Sequence, residues 1–189
     1  MKVYMLIGRS STGKDTIYKR LLNSDLCLKS IVLCTTRPMR DSETEGVEYF
    51  FKSNEDFEKD RQDGNIIEYR QYNTSQGIWT YYTKAFEKGD EDYIVIGTLQ
   101  SYKSYVDYYG ADVVIPLYIS VEEEVLITRA LEREKQTGKN FTEMCRRFVA
   151  DSEDFAESNL SKLGINRQFK NNDLDVCVKE LYDYIIENK

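Results

Sequence analysis

The chain has no histidine. That absence removes a histidine-based catalytic triad and a histidine metal cage, so any chemistry must run on lysine, arginine, carboxylates and backbone dipoles. The four cysteines (Cys27, Cys34, Cys145, Cys177) show no C-x-x-C spacing. They read as buried or incidental thiols rather than a disulfide framework or zinc site. Long apolar runs are missing as well: Val113 to Ile119 falls far short of the ~20 residues that cross a bilayer. The first apolar run, Val3 to Ile7, is too short for a signal-peptide core and passes straight into a glycine turn, so a cytoplasmic location is expected. Positive charge is in deficit, with a formal net charge of −7, which argues against a general nucleic-acid surface. It leaves room for a phosphate ligand, because a few clustered arginines make a positive cleft on an acidic protein. No internal repeat or low-complexity tract interrupts the chain.

What is present suits one folded domain: 189 residues, 41% hydrophobic and 31% charged. Val3 to Ile7 predicts a buried strand, followed by a helix from near Gly13 to Leu22, and Ile31 to Thr35 a second strand. Residues 36 to 83 are polar and aromatic, with alternation at Val47, Tyr49 and Phe51 that suits half-exposed strands. Asn54 to Asp63 predicts a short helix capped by Ser53 or Asn54. Tyr93 to Ile96 and Val113 to Ile119 are continuous apolar runs, as in strands buried on both faces of a parallel sheet. Helices are expected over Leu99 to Tyr109, Val121 to Glu134, Thr142 to Phe155 and Asp173 to Glu187. The alternation of strand and helix predicts an α/β, doubly wound parallel sheet.

Gly8-Arg9-Ser10-Ser11-Thr12-Gly13-Lys14-Asp15-Thr16 sits between the first strand and the first helix, where a phosphate-binding loop belongs. Glycines permit the tight turn, backbone N–H groups converge on phosphate oxygens, and the helix N-terminus adds positive potential. Lys14 is then placed to bridge the β and γ phosphates of ATP. Asp15 stands where a serine or threonine is usual, with Thr16 one place late, and these two are the candidate magnesium ligands. The plainer alternative is a glycine turn beside an exposed lysine.

Arg37 and Arg40, followed by Glu43 and by Tyr49 on a strand, form the second candidate site. Guanidinium forks match phosphate oxygens and a tyrosine hydroxyl adds a neutral donor; a solvated loop of alternating charge is the alternative. The stretch Thr35-Thr36-Arg37-Pro38-Met39-Arg40-Asp41-Ser42-Glu43-Thr44-Glu45-Gly46-Val47-Glu48-Tyr49-Phe50-Phe51 resembles the T-T-R-x-x-R-x-G-E-x-x-G-x-[DE]-Y-x-F signature of the guanylate kinase family, with Ser42 in place of one glycine. The resemblance extends from Val3 to about Leu181. It implies an ATP-dependent nucleoside-monophosphate kinase using magnesium, with GMP the likeliest acceptor, and a small acceptor-binding insertion over residues 33–83. The core would comprise 1–32, 84–130 and 148–189, and a helical lid would span 131–147. Arg37, Arg40 and Tyr49 would hold the acceptor phosphate, and Glu68 would meet the guanine edge. Tyr81 and Thr83 match the family's Y-G-[ST] turn, although Tyr82 replaces its glycine. Asn171, in Asn171-Asn172-Asp173-Leu174-Asp175, would lie on the adenine side.

Arg129, Arg133 and Arg147 align with arginines of the family's lid. By charge pattern alone they read equally as solvated helix faces with Glu132 and Glu143 as partners. The chain departs from the family where the strand Tyr93 to Ile96 runs into Gly97-Thr98-Leu99-Gln100, because both expected aspartates are missing and Thr98 takes one of their places. Leu33 likewise replaces a base-contacting serine. The phosphate grip is therefore retained while the guanine-reading set shrinks to Glu68 and Thr83. Two alternatives stay open: a related kinase of a phosphorylated sugar such as ribose bisphosphate, and a non-catalytic guanylate-kinase-like binding domain. Such binding domains typically lack the loop lysine, which is present here as Lys14.

Overall fold

A computed structural model describes all residues except 42, 75, 76, 88, 138 and 139. Ser42, the departure within the arginine segment, thus lies outside the described residues, as do two positions of the polar stretch 135–140. The backbone of the core is a five-stranded, wholly parallel sheet. It is formed by β1 (Val3–Ile7), β2 (Lys29–Ser30), β7 (Tyr93–Ile96), β8 (Val114–Ser120) and β9 (Gln168–Lys170), in the order β2-β7-β1-β8-β9. Central β1 buries all five side chains, because period-two alternation sends them to two different cores. Tyr4 and Leu6 join Ile17 and Leu21 of α1 (Lys14–Leu22) and Leu181 and Ile185 of α7 (Leu174–Glu187). Val3, Met5 and Ile7 face the opposite cluster, with Tyr102 and Tyr105 of α3 (Leu99–Tyr109) and Leu160 of α6 (Glu157–Lys162). Helices on both faces of the sheet make the expected doubly wound α/β architecture.

A second, mixed sheet lies apart from the first. It contains β3 (Cys34–Thr35), β4 (Phe50–Phe51), β5 (Ile66–Thr74) and β6 (Gly77–Lys84), in the order β4-β3-β6-β5. The run Ile31 to Thr35, expected as one strand, is strand only at Cys34 and Thr35; Ile31 to Leu33 link the first sheet to the second without strand structure. Lys29 and Ser30 pair with β7, whereas Cys34 and Thr35 pair antiparallel with Tyr82 and Tyr81. β9 and α6 had no expectation in the sequence, and both are short. Helix α2 (Asn54–Gln62) begins with a Ser53–Asp56 capping box, with Ser53, one of the two expected caps, as the N-cap. Helices α4 (Glu123–Thr137) and α5 (Phe141–Asp154) pack against one another near the phosphate loop. No helix among the described residues is long and apolar enough to cross a membrane. Cys34 and Cys177 are buried and Cys27 and Cys145 exposed, all four as free thiols.

Candidate functional site

The turn after β1 is shaped by two glycines. A Cβ on Gly8 would sit 2.4 Å from the Ile119 carbonyl oxygen, so only glycine lets the chain leave β1 so close to β8. Gly13 holds φ 88° at the N-cap of α1, and its missing Cβ admits the side chain of Asn171, whose Nδ2 donates to the Thr12 carbonyl at 2.8 Å. Ser11 is a non-glycine residue at φ 65°, which places local strain in the same turn. Lys14 Nζ curls back and donates to the carbonyl oxygens of Gly8 and Arg9, both at 2.8 Å. Burial pushes its ammonium below the usual value, and the carboxylates of Asp151 and Asp15 oppose that shift. Asp15 and Thr16 are exposed on the first helical turn.

Two residues, Arg9 and Ser10, fasten this loop to α4 and α5. Arg9 pairs with Glu123, donates to Ser152 Oγ at 2.7 Å, and lies 4.5 Å over the Phe148 ring. The Ser10 backbone N–H donates to the carboxylate of Asp151. Arg133 and Arg147 line a narrow gap of about 10 Å³ against Arg9, Ser10 and Ser11. Between them sits buried Glu134, which accepts from Arg147 Nη2 at 2.9 Å and lies 4.0 Å from Arg133. The carboxylates named from sequence were Glu132 and Glu143; Glu143 does approach Arg147, at 3.8 Å, but Glu134 is the closer partner. Arg129 is half-buried one turn earlier on α4.

In the arginine segment, Arg37 is only 4% exposed. Its Nη1 and Nη2 grip the Glu43 carboxylate at 2.7 and 2.5 Å, Nη1 also donates to the Pro38 carbonyl, and Nε donates to Tyr81 Oη at 3.1 Å. The rings of Tyr49 and Phe51 lie 5.1 and 5.4 Å from its guanidinium carbon. The pair drives Glu43 down to about 2 and raises Arg37, with the mutual hydrogen bonds the largest cause on both sides. Of the five guanidinium hydrogens, only one on Nη2 stays available to a ligand. Arg40 is exposed, and its backbone N–H donates to Glu43 at 2.9 Å. Glu43 thus organises both arginines.

A cleft of about 1070 Å³ runs between the phosphate loop and the second sheet. Gly8, Ser10 and Lys14 line one end; Glu68, Tyr81 and Thr98 line the other, with Leu33 among the apolar groups. Six residues marked from sequence therefore line the cleft: Gly8, Ser10, Lys14, Glu68, Tyr81 and Thr98. Arg37 reaches the wall only through Tyr81, whose hydroxyl it holds. Tyr49 stacks edge-on against Tyr81 at 5.5 Å. Thr83 is 1% exposed and pairs with Glu68 in the β5–β6 ladder, inside the wall rather than on it. Thr98 caps α3 by accepting from Ser101 N at 3.2 Å.

Sequence reading missed three residues. Arg70 follows Glu68 by two on β5, and alternation placed it on the same face, so a signal existed. Its Nη2 donates to Thr98 Oγ1 at 2.9 Å and Ser101 Oγ at 2.6 Å and lies 3.4 Å from Glu68. Asp151 and Glu134 carried no signal, because each is one acidic residue among many on a charged helix.

A phosphate-loop turn on a parallel α/β sheet, with a second mixed sheet facing it across a cleft, defines the P-loop α/β class. Within that class the family model described as guanylate kinase matches residues 1–96. The chain belongs to the guanylate kinase family. A guanylate kinase of Oceanobacillus iheyensis is 36% identical over 103 residues, covering 52% of this chain and 50% of that protein. The match thus spans about half the length of that relative. A guanylate kinase of Symbiobacterium thermophilum is 28% identical over 190 residues, covering 98% of this chain and 84% of the relative. The crystal structure of guanylate kinase from Anaplasma phagocytophilum has the same fold, with TM-score 0.59 at 16% identity, over 99% of this chain and 85% of that one.

Proposed function

We propose that the protein is an ATP-dependent nucleoside-monophosphate kinase that converts GMP and ATP to GDP and ADP. The observation that carries this reading is the single cleft with Lys14 at one end and Glu68, Tyr81 and Thr98 at the other. The names of the relatives support GMP as acceptor. An acceptor phosphate is already an anionic nucleophile, so the reaction needs no general base, and positioning plus charge neutralisation suffice. That suits a chain without histidine.

In this reading Gly8 to Thr16 cradle the ATP phosphates, and Lys14 exchanges its two loop carbonyls for β and γ oxygens. Arg37, Arg40 and Tyr49, organised by Glu43, receive the acceptor phosphate, and Tyr81 extends the grip to the cleft. Asn171 braces the loop from beneath. Residues 33–83 act as the acceptor-binding insertion on a core of 1–32, 84–130 and 148–189. Residues 131–147 act as the lid, bringing Arg129, Arg133 and Arg147 over ATP and excluding water.

Asp15 and Thr16 fit a magnesium ion, since a carboxylate and a hydroxyl on one exposed helical turn are hard oxygen donors. No group of three or more acidic or cysteine ligands exists among the described residues, in keeping with an ion that takes most of its ligands from nucleotide phosphates and water. The ion would supply charge neutralisation on the transferring phosphoryl group. A cytoplasmic setting with ATP at hand completes the proposal.

A second reading, a kinase of a phosphorylated sugar such as ribose bisphosphate, is favoured by three cations on the cleft wall besides Lys14: Arg70, Lys103 and Lys162. An ADP-release assay across GMP, dGMP, AMP, CMP, UMP and ribose bisphosphate separates the two. Turnover of GMP above all others is expected; turnover of the sugar alone would replace the first reading with the second.

A further inference from the structure

We propose that Arg70 is a base-reading residue of the acceptor site, donating from its uncommitted Nη1 to O6 of guanine while Glu68 accepts from N1 and N2. The inference rests on the nucleoside-monophosphate reading and deepens it.

The problem it answers is chemical. A lone carboxylate accepts from guanine N1–H and N2–H, but it also accepts from the amino group of adenine or cytosine, so Glu68 alone discriminates poorly. Reading guanine fully requires a donor opposite O6. Leu33 and Gly97 on the cleft wall have no side-chain donor, and the Thr98 hydroxyl is engaged by Ser101 N, Ser101 Oγ and Arg70. Arg70 fills that need. It shares the cleft-facing side of β5 with Glu68 and Tyr72, two residues to either side. Its three side-chain contacts, to Thr98, Ser101 and Glu68, all use Nη2, so Nε and Nη1 form no hydrogen bond among the described residues. Nη1 therefore keeps both of its hydrogens for an acceptor such as guanine O6.

The electrostatics favour an electron-rich ligand there. Arg70 sits at the N-terminus of α3, where the helix dipole already disfavours a cation, and its approach to Glu68 is a long 3.4 Å. A carbonyl oxygen between guanidinium and carboxylate relieves both, with O6 on the donor and N1–H on the acceptor. Adenine presents an amino group at position 6, donor against donor, so the same pair rejects AMP.

The test compares wild type, Arg70→Leu, Arg70→Lys and Glu68→Gln by kcat/KM on GMP, IMP and AMP, with calorimetric binding of each monophosphate in parallel. IMP keeps O6, N7 and N1–H but lacks the 2-amino group. Arg70→Leu is expected to lower GMP and IMP alike by about ten- to a hundred-fold, the value of a hydrogen bond to a charged group, with AMP little changed. Arg70→Lys should recover part of the loss, and Glu68→Gln should cost GMP more than IMP. Arg70 has 42% of its side chain exposed, so the variants should fold, and a melting curve checks this. Unchanged GMP-to-AMP preference in folded Arg70→Leu, with wild type active on GMP, overturns the inference while leaving the kinase reading intact. Wild type inactive on every monophosphate overturns both.

Discussion

The carboxylate of Asp151 accepts a hydrogen bond from the backbone N–H of Ser10, inside the phosphate loop. An anion from α5 therefore occupies a donor of the kind such loops offer to phosphate oxygens, close enough to Lys14 to raise its basicity. ATP must compete with it. Asp151→Ala is expected to tighten ADP and ATP binding about three- to tenfold, since it removes a like charge beside the phosphate path. Titration calorimetry with ADP decides the matter: equal or weaker binding by the variant would show that Asp151 does not act as a plug.

Lys14→Ala should abolish phosphoryl transfer and leave a folded protein. The substitution removes the charge facing the transferring phosphate, whereas Lys14 bonds to loop carbonyls and the Thr12 hydroxyl, which water can satisfy. Circular dichroism and an ADP-release assay together read both halves. Turnover at the wild-type rate by the folded variant would end the kinase reading.

Asn171 is 2% exposed and supplies a donor to the Thr12 carbonyl across the space left by Gly13. Asn171→Ala leaves that carbonyl without its partner, at a cost of about 1–3 kcal/mol in urea unfolding. ATP affinity should fall at the same time, because the loop loses its brace. A stability loss with ATP binding untouched would limit Asn171 to a structural role.

Glu43 titrates at about 2 instead of its usual 4.5, owing first to the hydrogen bonds from Arg37. A carboxylate whose folded value is depressed adds stability that is fully present above the unfolded value. That stability drains away as pH falls from about 4.5 toward 2. Wild type should therefore exceed Glu43→Gln in melting temperature at pH 6, and the gap should close steadily between pH 4.5 and 2.5. A gap independent of pH would mean that Glu43 acts through shape alone. The variant should also weaken all monophosphates together, since Glu43 holds the Arg37 guanidinium and the backbone at Arg40.

How much of this was legible in advance varies from residue to residue. Local signals were sufficient for α3, read as Leu99 to Tyr109 and found there, and for α2 with its Ser53 cap. Capping and hydrophobic period are properties of a few neighbouring residues, so no distant partner can overrule them easily. The run Ile31 to Thr35 shows the opposite case. Its residues favour a strand throughout, but the strand forms just at Cys34 and Thr35, where Tyr82 and Tyr81 of β6 supply the partner.

The site divides along the same line. Glycine, lysine and arginine types at fixed spacing mark the phosphate loop and the Arg37 segment from the sequence alone, because the backbone turn and the guanidinium forks are built from contiguous chain. Sequence by itself also fixed the absence of histidine chemistry and the loss of the strand-end aspartates. Only the tertiary structure decided that Arg37 is held almost entirely by Glu43 and Tyr81, that Asp151 enters the loop from α5, and that Arg70 crosses from β5 to Thr98 and Ser101 at the start of α3. Each of those contacts joins groups that the folded chain brings together. A charged residue on an exposed-looking segment carries the same local pattern whether it faces water or reaches across a cleft. The difference lies in which surface folds against it.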